Sequence, residues 1–235
     1  MTPEPPKPQS AFDAYAHDYD AALDQGIAVS GENKEYFAQG RVAWMARRLA
    51  ALGCAPRSIL DFGCGTGTGA PFLARQFSPA TVLGIDISGG SIATARKLHD
   101  ATGLAFRVTS EYQPAGEMDL AFCNGVFHHI PLAERAGAVG LVRSALRPGG
   151  LFAFWENNPW NPGTRYVMSR IPFDRNAITL TPPEARRLLC AGGFEILRTD
   201  FLFIFPGFLS PLRKLEPAFA ALPLGAQYLV LARKS

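Results

Sequence analysis

"ILDFGCGTGTG", residues 59–69, is an apolar run that ends in an acid and then opens into a glycine cluster. A buried strand feeding a glycine-rich turn and then a helix is the usual cradle of a nucleotide, because glycine lets the backbone approach a ligand and take positive φ. Three ligands compete for such a turn. A nucleoside triphosphate needs Gly-Lys-Ser/Thr at the end of the glycines. Here the chain runs on as Thr68-Gly69-Ala70-Pro71, with no lysine, so a P-loop is excluded. A dinucleotide needs G-x-G-x-x-G/A, and Gly65–Ala70 matches it formally. Asp61, two residues ahead of the glycines, suits a cationic amine better than a pyrophosphate. The balance moves toward an adenosine carrying something other than phosphate, and the stretch by itself leaves the dinucleotide open.

The surrounding pattern supports a doubly wound α/β sheet. Short apolar runs alternate with helical stretches: 58–62, 70–76, 81–85, 91–102, 105–108, 118–123, 133–146 and 151–155. Such alternation predicts parallel strands with helices on both faces. Two further strands are expected at 195–205 and 227–232, closing the sheet as a strand–loop–strand pair. Ahead of the sheet the spacing predicts two helices, the first from Ser10 to about Gly26 and the second over 32–52. The second is stopped by Gly53 and Pro56.

The 235 residues are 48% hydrophobic and only 18% charged, which suits one folded domain with one substantial core. The expected organisation is a disordered Pro-rich tail over 1–10 and a single domain over 11–235. Within it, 11–53 form a helical cap, and 157–183 and 206–225 are insertions on the substrate side. A net charge of +3 without a dense basic block gives no footprint for nucleic acid. No run of about 18 apolar residues is present, so no transmembrane segment is expected. Apolar residues alternating with Arg213 and Lys214 over 205–219 suggest at most a weak contact with a membrane surface. The opening residues have no apolar h-region and do not read as a signal peptide. Cys54, Cys64, Cys123 and Cys190 form no CxxC pair, and no histidine lies at zinc-ligand spacing from them. Neither a metal site nor a disulfide framework is expected, and a reducing cytosol fits. Cys64 and Cys123 end neighbouring strands and are expected to lie close together.

The second predicted strand ends in Asp86. An acid about twenty residues past the glycines accepts hydrogen bonds from ribose hydroxyls, in dinucleotide and adenosine binders alike. A helix N-cap is the alternative for the same residue.

Together "LDFGCGTGTGAPFLA" (60–74), "VLGIDIS" (82–88), "MDLAFCNGVFHHIP" (118–131) and "LRPGGLFAFWE" (146–156) resemble the class I S-adenosylmethionine-dependent methyltransferases, in particular the small-molecule branch. "FDAYAHDYD" (12–20) resembles that branch's opening helix. The resemblance implies a Rossmann-like seven-stranded sheet with an antiparallel last strand. It implies S-adenosylmethionine as cofactor, S-adenosylhomocysteine as product and a small-molecule methyl acceptor, in a monomer or homodimer.

Carried over by position, Gly63, Cys64 and Gly65 line the methionyl part through backbone, and Asp61 holds its amino group. Asp86 binds the ribose, with Ile87 against the adenine. Ser110 and Glu111 lie near the adenine amine, and Asn124, Gly125 and Val126 lie by the methionyl chain. Tyr15 or Tyr19 closes over the cofactor from the cap, and Arg41 meets the carboxylate. Candidate catalytic residues are His128, His129 and Glu156, the last expected to face the acceptor. Trp160, Tyr166, Met168, Phe173, Phe203, Phe205 and Phe208 are expected to wall an apolar or aromatic acceptor. "NNPWNP" (157–162) is like the motif of methyltransferases acting on amide or base nitrogen, but it follows the fifth strand instead of the fourth and does not count toward such a substrate. The competing readings are an NAD(P)-dependent oxidoreductase and a catalytically silent methyltransferase-like binding module.

Overall fold

A computed structural model describes residues 25–175 and 177–235. The expected tail, the body of the first cap helix, and Tyr15 and Tyr19 with it, lie outside the described residues.

Seven strands form one sheet: β1 (Ser58–Phe62), β2 (Thr81–Asp86), β3 (Leu104–Val108), β4 (Met118–Asn124), β5 (Leu146–Asn157), β6 (Phe194–Leu202) and β7 (Gln227–Lys234). Their order is β3-β2-β1-β4-β5-β7-β6. The first five are parallel, and β7 runs antiparallel to both β5 and β6. The sheet is therefore doubly wound, with its switch point between β1 and β4, where ligands bind beyond the carboxyl ends of the strands. A β7 slotted antiparallel between β5 and β6 leaves no second parallel nucleotide-binding half, which removes the architectural basis of the dinucleotide reading.

The long helices are α1 (Lys34–Ala51), α2 (Ala70–Gln76), α3 (Gly89–Leu98), α4 (Arg135–Ala145), α5 (Pro162–Arg170) and α6 (Pro182–Ala191). Local chemistry sets their ends. Asn33 caps α1 by accepting the Tyr36 N–H at 2.9 Å, and Gly53, at φ +67°, turns the chain after it. Thr181 and Glu184 form a capping box on α6. The 157–183 insertion, for which the sequence suggests no helix before the one at its end, contains α5. Its pattern is broken by Pro162 and Pro172, but Pro162 sits in the first turn, where its missing N–H costs nothing.

Alternation along the buried strands divides the core between the two faces. Leu60, Phe62, Cys123, Phe152 and Phe154 pack beneath α4 and α6. Ile59, Val82, Leu120, Phe122 and Trp155 pack against α1 and α2. Cys64 belongs with the second group and Cys123 with the first, so the expected proximity of the two thiols is corrected: a residue just past the strand end has turned toward the other face. All four cysteines are free.

The cap is tied to the far edge of the sheet through Asp200 on β6. Its buried carboxylate accepts the Trp44 indole N–H at 2.9 Å and the Arg48 Nε–H at 2.7 Å. The Arg48 guanidinium also lies 4.5 Å over the Trp44 ring. This pairing holds α1 across the sheet, with Phe37 and Arg41 toward the strand ends.

Candidate functional site

The glycine turn after β1 is built for close approach. Gly63, Gly65 and Gly67 have φ of +71°, +53° and +81°. A Cβ on Gly63 would lie 2.4 Å from the Val126 side chain, so only glycine lets the β1 and β4 turns come together. Asp86 closes the turn from β2. Its Oδ2 accepts the Gly65 N–H and its Oδ1 the Ser88 N–H, both at 2.9 Å. The N-cap of α3 is Ser88, whose hydroxyl accepts the Ser91 N–H. Asp86 is thus not the cap of that helix; it faces the turn and lines a cavity.

That cavity, of about 300 Å3, is bounded by Gly63, Gly65, Asp86, Ile87 and the Asn124–Val126 turn, all anticipated from the sequence. Ile87 projects into it while remaining half-exposed. Thr109 takes the position expected of Ser110 or Glu111, both of which lie exposed beside the cavity on the 3-10 turn Thr109–Glu111. Cys64, expected at the cofactor, does not line this cavity; its Sγ packs toward Gly84, on the other side of the turn.

Asp61 is 4% exposed, on the α1 face of the sheet. Burial, with the neighbouring Asp86 charge, pushes its carboxyl up to about 7, against the opposing pull of Arg41. Arg41 is itself buried and donates to Gln227 Oε1 at 2.9 Å. The Oδ1 of Asn124 is buried nearby at the end of β4 with no hydrogen-bond partner, an acceptor in want of a donor.

A second cavity, of about 410 Å3, lies between α1, the 157–183 insertion and the segment after β6. Tyr166, Met168, Phe173, Phe203, Phe205 and Phe208 line it as expected. Trp160 does not; it is 50% exposed and points away. Phe203 has φ +62°, and its ring packs on Phe37 at 4.9 Å and reaches close over Gly40. A bulky residue in the left-handed region is strained, and here the strain carries an aromatic ring into the cavity wall.

The two cavities share one wall, made by Asn124, Gly125 and His129. Beside it lies a polar cluster. His128 is 3% exposed, and its Nδ1 lies 2.6 Å from Glu156 Oε2. Its Nε2 lies 3.4 Å from Asp174 Oδ1, and the Nε2 of His129 lies 3.2 Å from the same oxygen. Neither contact to Asp174 is aligned as a hydrogen bond. Burial alone would lower the His128 pKa, but Glu156 and Asp174 on either side raise it to about 10. Burial lowers that of His129. The two imidazoles hold the Asp174 carboxyl below its ordinary range despite its burial.

His128 and His129 both line the second cavity. Glu156 lines neither. It is fully buried, its Oε1 accepts the Phe127 N–H at 2.8 Å, and it faces the α4 side of the sheet under the turn that carries the histidines. The expectation that Glu156 faces the acceptor is corrected: strand alternation, with Trp155 toward the other face, turns it inward. Asp174, which sequence reasoning missed, takes its place at the cavity. No spacing signals it, because it reaches the histidines from within the insertion.

The geometry can now be compared with known proteins. Residues 59–150 match the methyltransferase domain family. This segment carries a methyltransferase domain. The match begins at β1 and ends within β5, and so takes in the whole nucleotide-side half of the sheet. The chain is 28% identical over 137 residues to a trans-aconitate 2-methyltransferase of Methylobacterium nodulans, covering 58% of this chain and 50% of that one. It is 32% identical over 110 residues to a fatty-acid O-methyltransferase of Mycolicibacterium smegmatis, covering 44% and 38%. The chain therefore spans half or less of the length of these curated relatives. A methyltransferase of Thermotoga maritima, described as a possible histamine N-methyltransferase, superposes with a TM-score of 0.69 at 21% identity, over 97% of this chain and all of that one. At that identity the likeness is one of fold, and it extends beyond the matched segment to the cap and the closing strands. Among the described residues, no helix is long and apolar enough to cross a membrane.

Proposed function

We propose that this chain transfers a methyl group from S-adenosylmethionine to a small apolar or aromatic acceptor. The observation that carries the reading is the wall shared by the two cavities at Asn124, Gly125 and His129. A donor in the first cavity and an acceptor in the second meet there, in line and away from water.

The residues of the first cavity fit the cofactor. Asp86 faces the site of the ribose hydroxyls, and Ile87 offers an apolar surface for the adenine. Asp61, buried at the end of β1 behind the cavity wall, and Asn124 Oδ1, short of a donor, suit the methionyl ammonium. Bound there, S-adenosylmethionine supplies an electrophilic methyl on a good leaving group. Most of what the protein must add is positioning and exclusion of water. His129, with His128 and Asp174 behind it, sets the polar end of the acceptor site. Glu156 positions His128 through its 2.6 Å contact. Phe203, Phe205, Met168 and Phe173 enclose the acceptor's apolar body. The two relatives described above are named for carboxylic-acid acceptors, and the fatty-acid enzyme is the better guide to a cavity with this lining.

The exposed segment Gly207–Leu215, with Phe208 81% exposed and Leu212, Lys214 and Leu215 beside it, lies at the mouth of the second cavity. We read it as a weak lipid-surface contact through which an apolar acceptor enters. The setting is a cytosolic monomer or homodimer with no nucleic-acid partner.

Calorimetry with S-adenosylhomocysteine and with NAD tests the cofactor. Micromolar binding of the former and none of the latter is expected, and the reverse would sink the proposal. Turnover of labelled S-adenosylmethionine against a panel of fatty acids and phenols separates an enzyme from a silent binding module.

A further inference from the structure

The cluster at the shared wall has the makings of a ligand set. We propose that His128 Nε2, His129 Nε2 and Asp174 Oδ1 bind a divalent transition-metal cation of the zinc class, open toward the second cavity, where it holds an oxygen atom of the acceptor.

The spacing of the donor atoms is the first argument. Metal bonds of about 2.0–2.2 Å place neighbouring ligand atoms about 3.0–3.5 Å apart. The two histidine nitrogens lie 3.4 and 3.2 Å from Asp174 Oδ1, and all three atoms fall within 4.8 Å of one another. Satisfaction is the second. Asp174 Oδ1 is buried without an aligned hydrogen bond, and both imidazole nitrogens stand at ion-pair distance from it instead. A cation between the three atoms gives that oxygen the direct partner it lacks.

Orientation is the third argument. His128 turns its Nδ1 to Glu156 at 2.6 Å, which leaves Nε2 toward Asp174. A carboxylate that fixes the tautomer of a ligating histidine is the usual outer partner of a metal site. Glu156 is in turn held by the Phe127 N–H at 2.8 Å. The ligands come from two separate elements, the turn after β4 and the 157–183 insertion, and all three line the cavity. Three protein ligands with an open fourth position are the arrangement of a zinc site that takes a ligand. Two imidazoles and one carboxylate suit zinc, cobalt, iron or nickel better than magnesium or calcium. A cation there orients and polarises an acceptor oxygen beside the cofactor cavity.

The acceptor's part in this site rests on the methyltransferase reading, but metal binding itself does not. The test uses the full chain after treatment with chelator. Titration with Co2+ is followed by visible ligand-field absorption, and with Zn2+ by calorimetry. One tight site with a tetrahedral-type cobalt spectrum is expected. Asp174→Asn and His129→Gln are each expected to weaken it at least tenfold, and Glu156→Gln to weaken it by about 10- to 100-fold. Thermal denaturation checks that each variant folds. Absence of a cobalt spectrum in the wild-type chain, or equal affinity in wild type and both ligand variants, would overturn the site. S-adenosylhomocysteine binding is measured on the same samples. Binding of it without metal refutes the metal site alone; metal binding without it refutes the cofactor reading and leaves the site standing.

Discussion

The Asp86 carboxylate accepts the Gly65 backbone N–H at 2.9 Å, joining the end of β2 to the turn after β1. The acid that lines the first cavity, and that we propose holds the ribose, therefore also shapes the turn beside it. Asp86→Ala removes both roles. Cofactor-product affinity is expected to fall by about 1.5–3 kcal/mol, the scale of hydrogen bonds to a charged group. Calorimetry with S-adenosylhomocysteine measures it, and an unchanged affinity would mean that the ribose lies elsewhere.

Asp61 is expected to make product binding depend on pH. Its carboxyl titrates at about 7 in the folded chain, against an ordinary value of 3.8. The folded state binds this proton more tightly than the unfolded one, so stability declines as pH rises from about 4 to about 7, by roughly 4 kcal/mol in total from this group. An ammonium beside Asp61 requires its ionised form. Affinity for S-adenosylhomocysteine is then expected to weaken as pH falls below 7, approaching tenfold per pH unit. Titrations at pH 6 and pH 8 test this, and Asp61→Asn should flatten the profile.

Gly63 and Gly65 both have positive φ, yet they predict different outcomes. Alanine at Gly65 meets no atom within 4 Å, so Gly65→Ala carries only the left-handed backbone cost, about 1–2 kcal/mol. Alanine at Gly63 would also drive its Cβ to 2.4 Å from Val126, across the turn that forms the shared wall. Gly63→Ala is expected to lose product binding by more than tenfold, with the larger fall in melting temperature. Similar effects from the two variants would remove the packing argument.

Asp200→Ala tests the anchor of the cap. It leaves the Trp44 indole N–H and the Arg48 guanidinium without their shared acceptor on β6. A loss of about 3 kcal/mol is expected. In a chain of this size that is a fall of about 6–12 °C in melting temperature. A smaller change in denaturation scans would show that α1 is held by its apolar face alone.

Much of the fold was legible because the signals are local. The apolar run 58–62, the glycines after it and the acid at 86 announce β1, its turn and β2 within thirty residues, and each depends on backbone geometry that a short segment imposes on itself. The closing strand pair was legible too, although not the order that slots β7 between β5 and β6, since pairing partners distant in the chain leave no mark on either strand. Helix α5 was missed because its two flanking prolines read as breakers when one of them is a helix start.

The sequence by itself determined the switch-point sheet, the nucleotide turn and the residues that line its cavity, because these follow from strand alternation and from glycine's access to positive φ. Only the tertiary structure decided what lines the second cavity. It turned Glu156 inward and brought Asp174 from the insertion to His128 and His129. It also set Arg41 among buried groups beside Asp61. Those contacts are formed between side chains far apart in the chain, by the burial of apolar surface that carries the polar groups along, and no local pattern records where they meet.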